Sequence, residues 1–288
     1  MKTTPQAPAG IEIIAHRGSG QGHLQPDTPP ENTLPAFAYA WSPAVNADAA
    51  ELDIHLTLDG EIVVIHDDTT DRTANAAWVV AEHTLAELRT LDAGKWKAPQ
   101  FAGTRLPTLD EVIGTIPDGK RLFTEIKTDR RILDPLVRVL RGCGKPAGQL
   151  PLISFNIDAI GRAKERLPEH ECYLLVTFEN PHAADSANLD SADLDSANLE
   201  AANLEAANVE AMMDALIRLA RNAGLDGIDT SFPMPRGWLD RMRRHQLKSV
   251  VWTVNDVEAA REVATGGIGG ITTDVPRQIR AALRGVRG

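Results

Sequence analysis

Short β-branched runs alternate with amphipathic, helix-length segments along almost the whole chain, and no other feature constrains its fold as strongly. Strand-like runs occupy residues 11–16, 50–56, 62–66, 121–127, 149–154, 172–177, 227–229, 248–254 and 269–272. Segments that bury one face at helical spacing lie between most of them, at 34–41, 109–115, 132–141, 157–166, 209–222, 238–245, 257–264 and 276–284. Asp59-Gly60 suits a tight hairpin turn, so 62–66 becomes a return arm and eight strand–helix units remain. Eight units in a chain of 288 residues suit an α/β protein of the (β/α)8 TIM-barrel class, whose usual size is about 250 residues. The expected organisation is one barrel over 11–288, with a small insertion at 67–107 after the second strand. A doubly wound open sheet is the alternative, although no Gly-rich dinucleotide fingerprint accompanies the strands.

Charge bears on partners. The chain has 30 Lys+Arg against 40 Asp+Glu, a net charge of −10. That balance argues against a nucleic-acid coat, because phosphate backbones are gripped by clustered Lys and Arg. Much of the acidity is local, however. Residues 185–210 carry seven carboxylates and no Lys or Arg, which leaves −3 over the rest. From Ala187 this tract repeats Ala-(Asn/Asp)-Leu-(Asp/Glu)-(Ser/Ala) five times, with Val209 replacing the last Leu. Each five-residue step turns a helix about 140° past a full rotation, so the Leu residues form no stripe. An Ala-rich helical extension or a mobile acidic insert is expected ahead of a solenoid coil, since five copies give little more than one turn. Cys143 and Cys172 are too few for a disulfide framework, and no apolar run approaches the ~20 residues of a membrane helix. The opening MKTTPQAPAG lacks an apolar signal segment. A cytoplasmic protein without stable membrane insertion is expected, and its protein partners are unknown.

In barrels of this class chemistry gathers at the carboxyl ends of the strands. Glu51 and Asp53 are two apart on one strand and leave it on the same face. Two inward carboxylates repel unless a cation or proton joins them, and Glu125 can add a third oxygen ligand. With no Cys/His ligand cluster, the set suits a hard divalent metal, Mg²⁺ or Ca²⁺, better than Zn²⁺. Taken alone, the pair reads equally well as rim carboxylates balanced by Arg or Lys. Lys127 shares the inward face of Glu125, and Arg17 follows a strand just before Gly18. A metal, a guanidinium and an ammonium converging on one point suit a phosphate. His16 and His66 end strands and can act as base and acid near neutral pH. Singly, each would read as a hydrogen-bonded structural histidine. His16 is assigned as base and His66 as acid, in an order the residues themselves leave open.

An ordered set of motifs then acquires meaning: His16-Arg17-Gly18, Pro30-Glu31-Asn32-Thr33, Glu51-Leu52-Asp53, His66-Asp67, Glu125-Ile126-Lys127, Val251-Trp252-Thr253-Val254-Asn255 and Thr273-Asp274-Val275-Pro276. Together they resemble the glycerophosphodiester phosphodiesterase family, over all but the first ten residues and the acidic repeat. The resemblance implies a (β/α)8 barrel that cleaves a small-molecule glycerophosphodiester to glycerol 3-phosphate and an alcohol with a divalent metal. It implies Glu51, Asp53 and Glu125 as metal ligands, His16 and His66 as the catalytic pair, and Arg17 and Lys127 as phosphate contacts. Glu31 would orient a loop and Trp252 would line the pocket, although Trp252 reads equally as a core aromatic. The stretch 18–31 is longer than the family's usual link, and His23 within it reads as a solvated loop residue. Two rival readings are a phospholipase D-type relative acting on lysophospholipid, and a non-catalytic metal-binding barrel with the repeat as a docking element.

Overall fold

A computed structural model of the chain describes residues 10–18, 20, 27–178 and 209–284. Among the described residues nine strands form one sheet: β1 (Glu12–Ala15), β2 (Ala49–Leu56), β3 (Ile62–Val64), β4 (Arg121–Ile126), β5 (Leu152–Ser154), β6 (Cys172–Val176), β7 (Gly227–Ser231), β8 (Lys248–Trp252) and β9 (Gly270–Thr273). Eight of them, all but β3, run parallel in chain order, and β9 pairs with β1 to close the barrel. β3 lies antiparallel on the outgoing end of β2, with Ile54 opposite Val64 and Leu56 opposite Ile62. The helices are α1 (Leu34–Trp41), α2 (Leu85–Leu88), α3 (Leu109–Ile113), α4 (Leu133–Gly142), α5 (Ile157–Arg166), α6 (Val209–Asn222), α7 (Trp238–Arg244), α8 (Val257–Thr265) and α9 (Pro276–Ala282). All except α2 connect or follow successive barrel strands.

Period two along each strand explains the layering. Outward residues such as Ala50, Leu52, Ile54, Leu122, Ile126, Leu174 and Ile228 pack beneath the helices in one large apolar cluster. Inward residues Ile14, Ala49, Phe123, Ile153, Tyr173, Leu175 and Val250 fill the barrel interior as a second cluster. Apolar residues therefore lie on both faces of the sheet at the level of this plug, as expected of a sheet covered by helices. Where the inward series continues beyond that plug, apolar residues give way to Glu51, Asp53 and Glu125, and the change of chemistry marks the upper end of the barrel.

The boundaries differ from the sequence expectation in three useful places. Ala147–Gln149 form a 3-10 turn, so β5 starts only at Leu152. β1 stops at Ala15 and β3 at Val64, which places His16 and His66 on the loops just past their strands. The segment between β3 and α3 builds its own apolar cluster from Ile65, Val80, Leu88, Leu91, Ala93 and Leu106 against Val63. Within it α2 starts on a reciprocal Thr84–Glu87 capping box. Of the acidic tract, 185–208 lies outside the described residues, as do His23 and His182. Among the described residues no helix is long and apolar enough to cross a membrane.

The opposite rim, at the start of the strands, is tied by charge. Arg121 Nη1 donates to Glu12 at 2.8 Å and Nη2 to Glu171 at 2.6 Å, while Tyr173 Oη donates to Glu171 at 2.6 Å and Lys248 also pairs with it. Partial burial would raise the Glu171 carboxyl, but Arg121, Lys248 and Tyr173 outweigh it and hold the group at about 2, below its ordinary 4.5. A depressed acid stabilises the fold above its unfolded pKa and loses that contribution as pH falls through the folded value. Glu171→Gln should therefore cost about 2 kcal/mol at pH 7. The gap to wild type should narrow in urea melts as pH drops from 4.5 towards 2. A gap independent of pH over that window would refute the electrostatic account.

Candidate active site

Glu51 and Asp53 project inward from β2, and Glu125 projects inward from β4 with Asp53 as its register partner. One oxygen from each lies within 4.8 Å of the others. Glu51 and Asp53 are 4% and 1% exposed. Burial, then the charges of Asp53 and Glu125, push the Glu51 carboxyl well above its ordinary value. Burial would raise Asp53 too, but His66, Arg17, Lys127 and the Asn32 amide outweigh it and hold the carboxyl at about 2. The surrounding hydrogen bonds fix the oxygens in place. Asn32 Nδ2 donates to Asp53 Oδ2 at 2.8 Å, the Arg17 backbone N–H donates to Glu51 Oε2 at 3.0 Å, and Lys127 Nζ stands 3.1 Å from Glu125 Oε1. Three oxygen donors with no sulfur or imidazole among them, at least one destabilised by its like-charged neighbours, fit a hard divalent cation.

The turn after β1 delivers the next two groups. Arg17 adopts a left-handed φ of 50° and Gly18 one of 81°, and a Cβ on Gly18 would come within 2.9 Å of the Ala36 backbone. Only glycine fits there, so the chain folds sharply enough to point Arg17 back across the barrel mouth. Its Nη1 donates to Glu31 Oε1 at 2.7 Å and its Nε lies 3.7 Å from Asp53 Oδ2. Glu31, 3% exposed, is thus a buried counter-charge to Arg17.

His16 and His66 are held in the same manner. Nδ1 of His16 donates to Asp274 Oδ1 at 2.7 Å, leaving Nε2 4.0 Å from Glu51 Oε2. Asp274 is itself fixed by Asn255, whose Nδ2 donates to Oδ2 at 2.6 Å and whose Oδ1 accepts the Asp274 N–H at 2.8 Å. Nδ1 of His66 donates to Asp67 Oδ1 at 2.6 Å, and its Nε2 faces Lys127 Nζ at 3.4 Å. His55 Nε2 donates to the His66 carbonyl at 3.0 Å, so this histidine braces the loop that carries His66. Burial, with the charges of Arg17 and Lys127, holds the His66 imidazole down at about 4 against the opposing pull of Asp53 and Asp67. Each imidazole therefore has its Nδ1 proton committed to a carboxylate and its Nε2 turned towards the acidic cluster or its cationic neighbours.

The structure thus brings His16, Arg17, Glu31, Glu51, Asp53, His66, Glu125 and Lys127 into one mouth. Trp252, at the end of β8, stands edge-on to Phe155 with ring centroids 5.6 Å apart, beside the interior plug. Asp229 is 1% exposed, and burial followed by Glu125 pushes its carboxyl well above the ordinary range. Ser154 Oγ donates to the Ile126 carbonyl and serves the backbone. Cys172 is buried, with its thiol pushed up to about 12 by burial, which is the opposite of a nucleophile. Asp274, Asn255, Asn32 and Asp67 stand inside sequence motifs, but their orienting roles emerge only from these contacts. A carboxylate immediately after a strand end, as at Asp274 after β9, was the available signal.

The family model for the glycerophosphoryl diester phosphodiesterase family matches residues 16–278, a stretch that opens on His16 and encloses every residue of the candidate site. The chain belongs to this family. Among curated glycerophosphodiester phosphodiesterases, it is 47% identical over 117 residues to one from Caldanaerobacter subterraneus, covering 40% of this chain and 45% of that protein. It is 32% identical over 178 residues to one from Bacillus subtilis, covering 56% and 58%. The matched stretches thus span about half the length of these relatives. An Oleispira antarctica phosphodiesterase, solved in complex with the product sn-glycerol-3-phosphate, superposes with a TM-score of 0.74 at 25% identity, covering 95% of this chain and 96% of that one. A glycerophosphodiester phosphodiesterase from Agrobacterium tumefaciens superposes with a TM-score of 0.69 at 24% identity, covering 94% and 99%. The closed parallel barrel is thus the architecture this phosphodiesterase family member shares with both solved proteins.

Proposed function

We propose that this protein hydrolyses glycerophosphodiesters to glycerol 3-phosphate and an alcohol, using a divalent metal, Mg²⁺ or Ca²⁺, held by Glu51, Asp53 and Glu125. The observation that carries this reading is the pairing of two carboxylate-anchored imidazoles, His16 and His66, around a three-carboxylate cluster joined by Arg17 and Lys127. Glycerol 3-phosphate in the Oleispira antarctica relative supports the substrate class. The cation, when bound, supplies positive charge that polarises a phosphoryl oxygen. Arg17 offers a planar fork and Lys127 a point charge to the non-bridging oxygens, where negative charge grows in the transition state. Glu31 keeps Arg17 aimed, and Trp252 with Phe155 offers an apolar wall to the rest of the substrate.

The two histidines divide the proton transfers. The low pKa of His66 favours a neutral imidazole at neutral pH, and so favours His66 as the base that takes the proton from the nucleophile. His16, in the form protonated on both ring nitrogens and with Nδ1–H held by Asp274, then gives its Nε2 proton to the departing alkoxide. This order reverses the one assigned from sequence. The nucleophile is water or the neighbouring glycerol hydroxyl, and the second route benefits from proximity. A cyclic phosphate seen by phosphorus NMR during turnover of a slowed variant identifies that route, and its absence in a single turnover excludes it.

Release of glycerol 3-phosphate from a panel of glycerophosphodiesters, before and after chelation, tests the function. Activity should vanish on chelation and return with Mg²⁺ or Ca²⁺. Full turnover by exhaustively chelated protein would refute the metal site. Faster cleavage of lysophosphatidylcholine than of glycerophosphocholine would move the activity to the phospholipase D type, and metal binding without any hydrolysis would leave a binding module.

A further inference from the structure

Arg72, on the segment between β3 and α3, joins two halves of the site that sit on different loops. Its Nε donates to Asp67 Oδ2 at 2.6 Å and its Nη2 to Asp67 Oδ1 at 3.1 Å. The same guanidinium donates from Nη1 to Glu31 Oε2 and from Nη2 to Glu31 Oε1, both at 3.0 Å. Asp67 holds His66 Nδ1 at 2.6 Å, and Glu31 holds Arg17 Nη1 at 2.7 Å. An unbroken chain, His66–Asp67–Arg72–Glu31–Arg17, therefore links the imidazole after β3 to the guanidinium after β1.

We propose that Arg72 is a positioning residue that sets the His66 imidazole and the Arg17 guanidinium at once, through Asp67 and Glu31. The inference rests on the function proposed above. A plain surface ion pair does not account for the geometry. The side chains of Glu31 and Asp67 are 1% and 12% exposed, while Arg72, at 35%, closes over them from the solvent side. Two carboxylates that each orient a functional group, yet would repel one another, are held by one planar cation with donors on both edges. Lysine, a single point charge, cannot span both with fork geometry. Without the clamp, Asp67 and Glu31 each lose the two hydrogen bonds that Arg72 donates.

Arg72→Lys and Arg72→Ala should each lower kcat/KM for the better of glycerophosphocholine and glycerophosphoethanolamine by about 10- to 100-fold. The loss should divide. Asp67→Asn should reproduce the fall in kcat, and Glu31→Gln the rise in KM together with weaker binding of inorganic phosphate. Guanidinium added to the buffer should restore part of the loss in Arg72→Ala and none in Arg72→Lys, a rescue that a general packing defect would not show. Binding of inorganic phosphate in the presence of Mg²⁺ and the nitrogen-15 shifts of His66 are read on the same variants. If the wild type cleaves neither substrate, the functional reading fails alone, and these two measurements still decide the clamp. Kinetics, phosphate affinity and His66 shifts in Arg72→Lys indistinguishable from wild type would overturn it. Should Arg72→Ala not fold, the same three measurements on Arg72→Lys decide between the clamp and a surface ion pair.

Discussion

His16→Ala and His66→Ala should each lower turnover by about 100- to 10,000-fold, the usual worth of a positioned proton donor or acceptor. Both side chains sit at the mouth of the barrel, outside its apolar plug, so far-UV circular dichroism should match the wild type. The two variants should part company when the leaving group changes. An alkoxide leaves poorly and needs a proton, whereas a nitrophenolate leaves unaided. On a glycerophosphoryl nitrophenyl ester, the variant without the acid should recover most of its lost rate and the variant without the base should not. With His66 neutral among Arg17 and Lys127, His16→Ala is the one expected to recover. Recovery by His66→Ala alone would restore the opposite assignment, and full turnover of a natural diester by either variant would remove the two-histidine scheme.

The second large effect has opposite signs in the presence and absence of metal. Glu51 carries a carboxyl raised by burial and by Asp53 and Glu125. A raised acid destabilises the folded protein wherever pH exceeds its unfolded value, so at neutral pH the bare cluster opposes folding. Glu51→Gln should therefore raise the melting temperature of chelated protein. It should also abolish the rise that Mg²⁺ or Ca²⁺ confers on the wild type, worth about 2.7 kcal/mol at a hundredfold excess over Kd. Asp53→Asn should abolish the metal effect without the gain, because Arg17, Lys127 and the Asn32 amide already hold that carboxylate ionised. A wild-type melting temperature indifferent to both ions, or an undiminished metal shift in Glu51→Gln, would refute the three-carboxylate site.

Much of this is legible along the chain because period two is a local property. Glu51 and Asp53 share a face with Ala49, and Glu125 and Lys127 share one with Phe123, wherever those strands lie. The apolar partners on the alternate face, Leu52, Ile54 and Ile126, require that face to be covered, and eight repeats of strand and helix supply the cover. Strand ends can be read the same way, so His16, Arg17 and His66 stand out although each sits just past its strand. What a polar side chain meets is a different matter. Asp274 reaches His16 across 258 residues of sequence only because β9 pairs with β1 and closes the barrel. Arg72 bridges Asp67 and Glu31 only because the segment after β3 folds back over the loop after β1. The tautomers of both histidines follow from such contacts, and the low pKa of His66 follows from its burial beside Arg17 and Lys127. Sequence alone therefore determined the elements, their buried faces and the residues able to do chemistry, since backbone periodicity and local composition suffice for that. Only the tertiary structure decided which charges face one another, because burial and electrostatic pairing depend on distances that barrel closure sets.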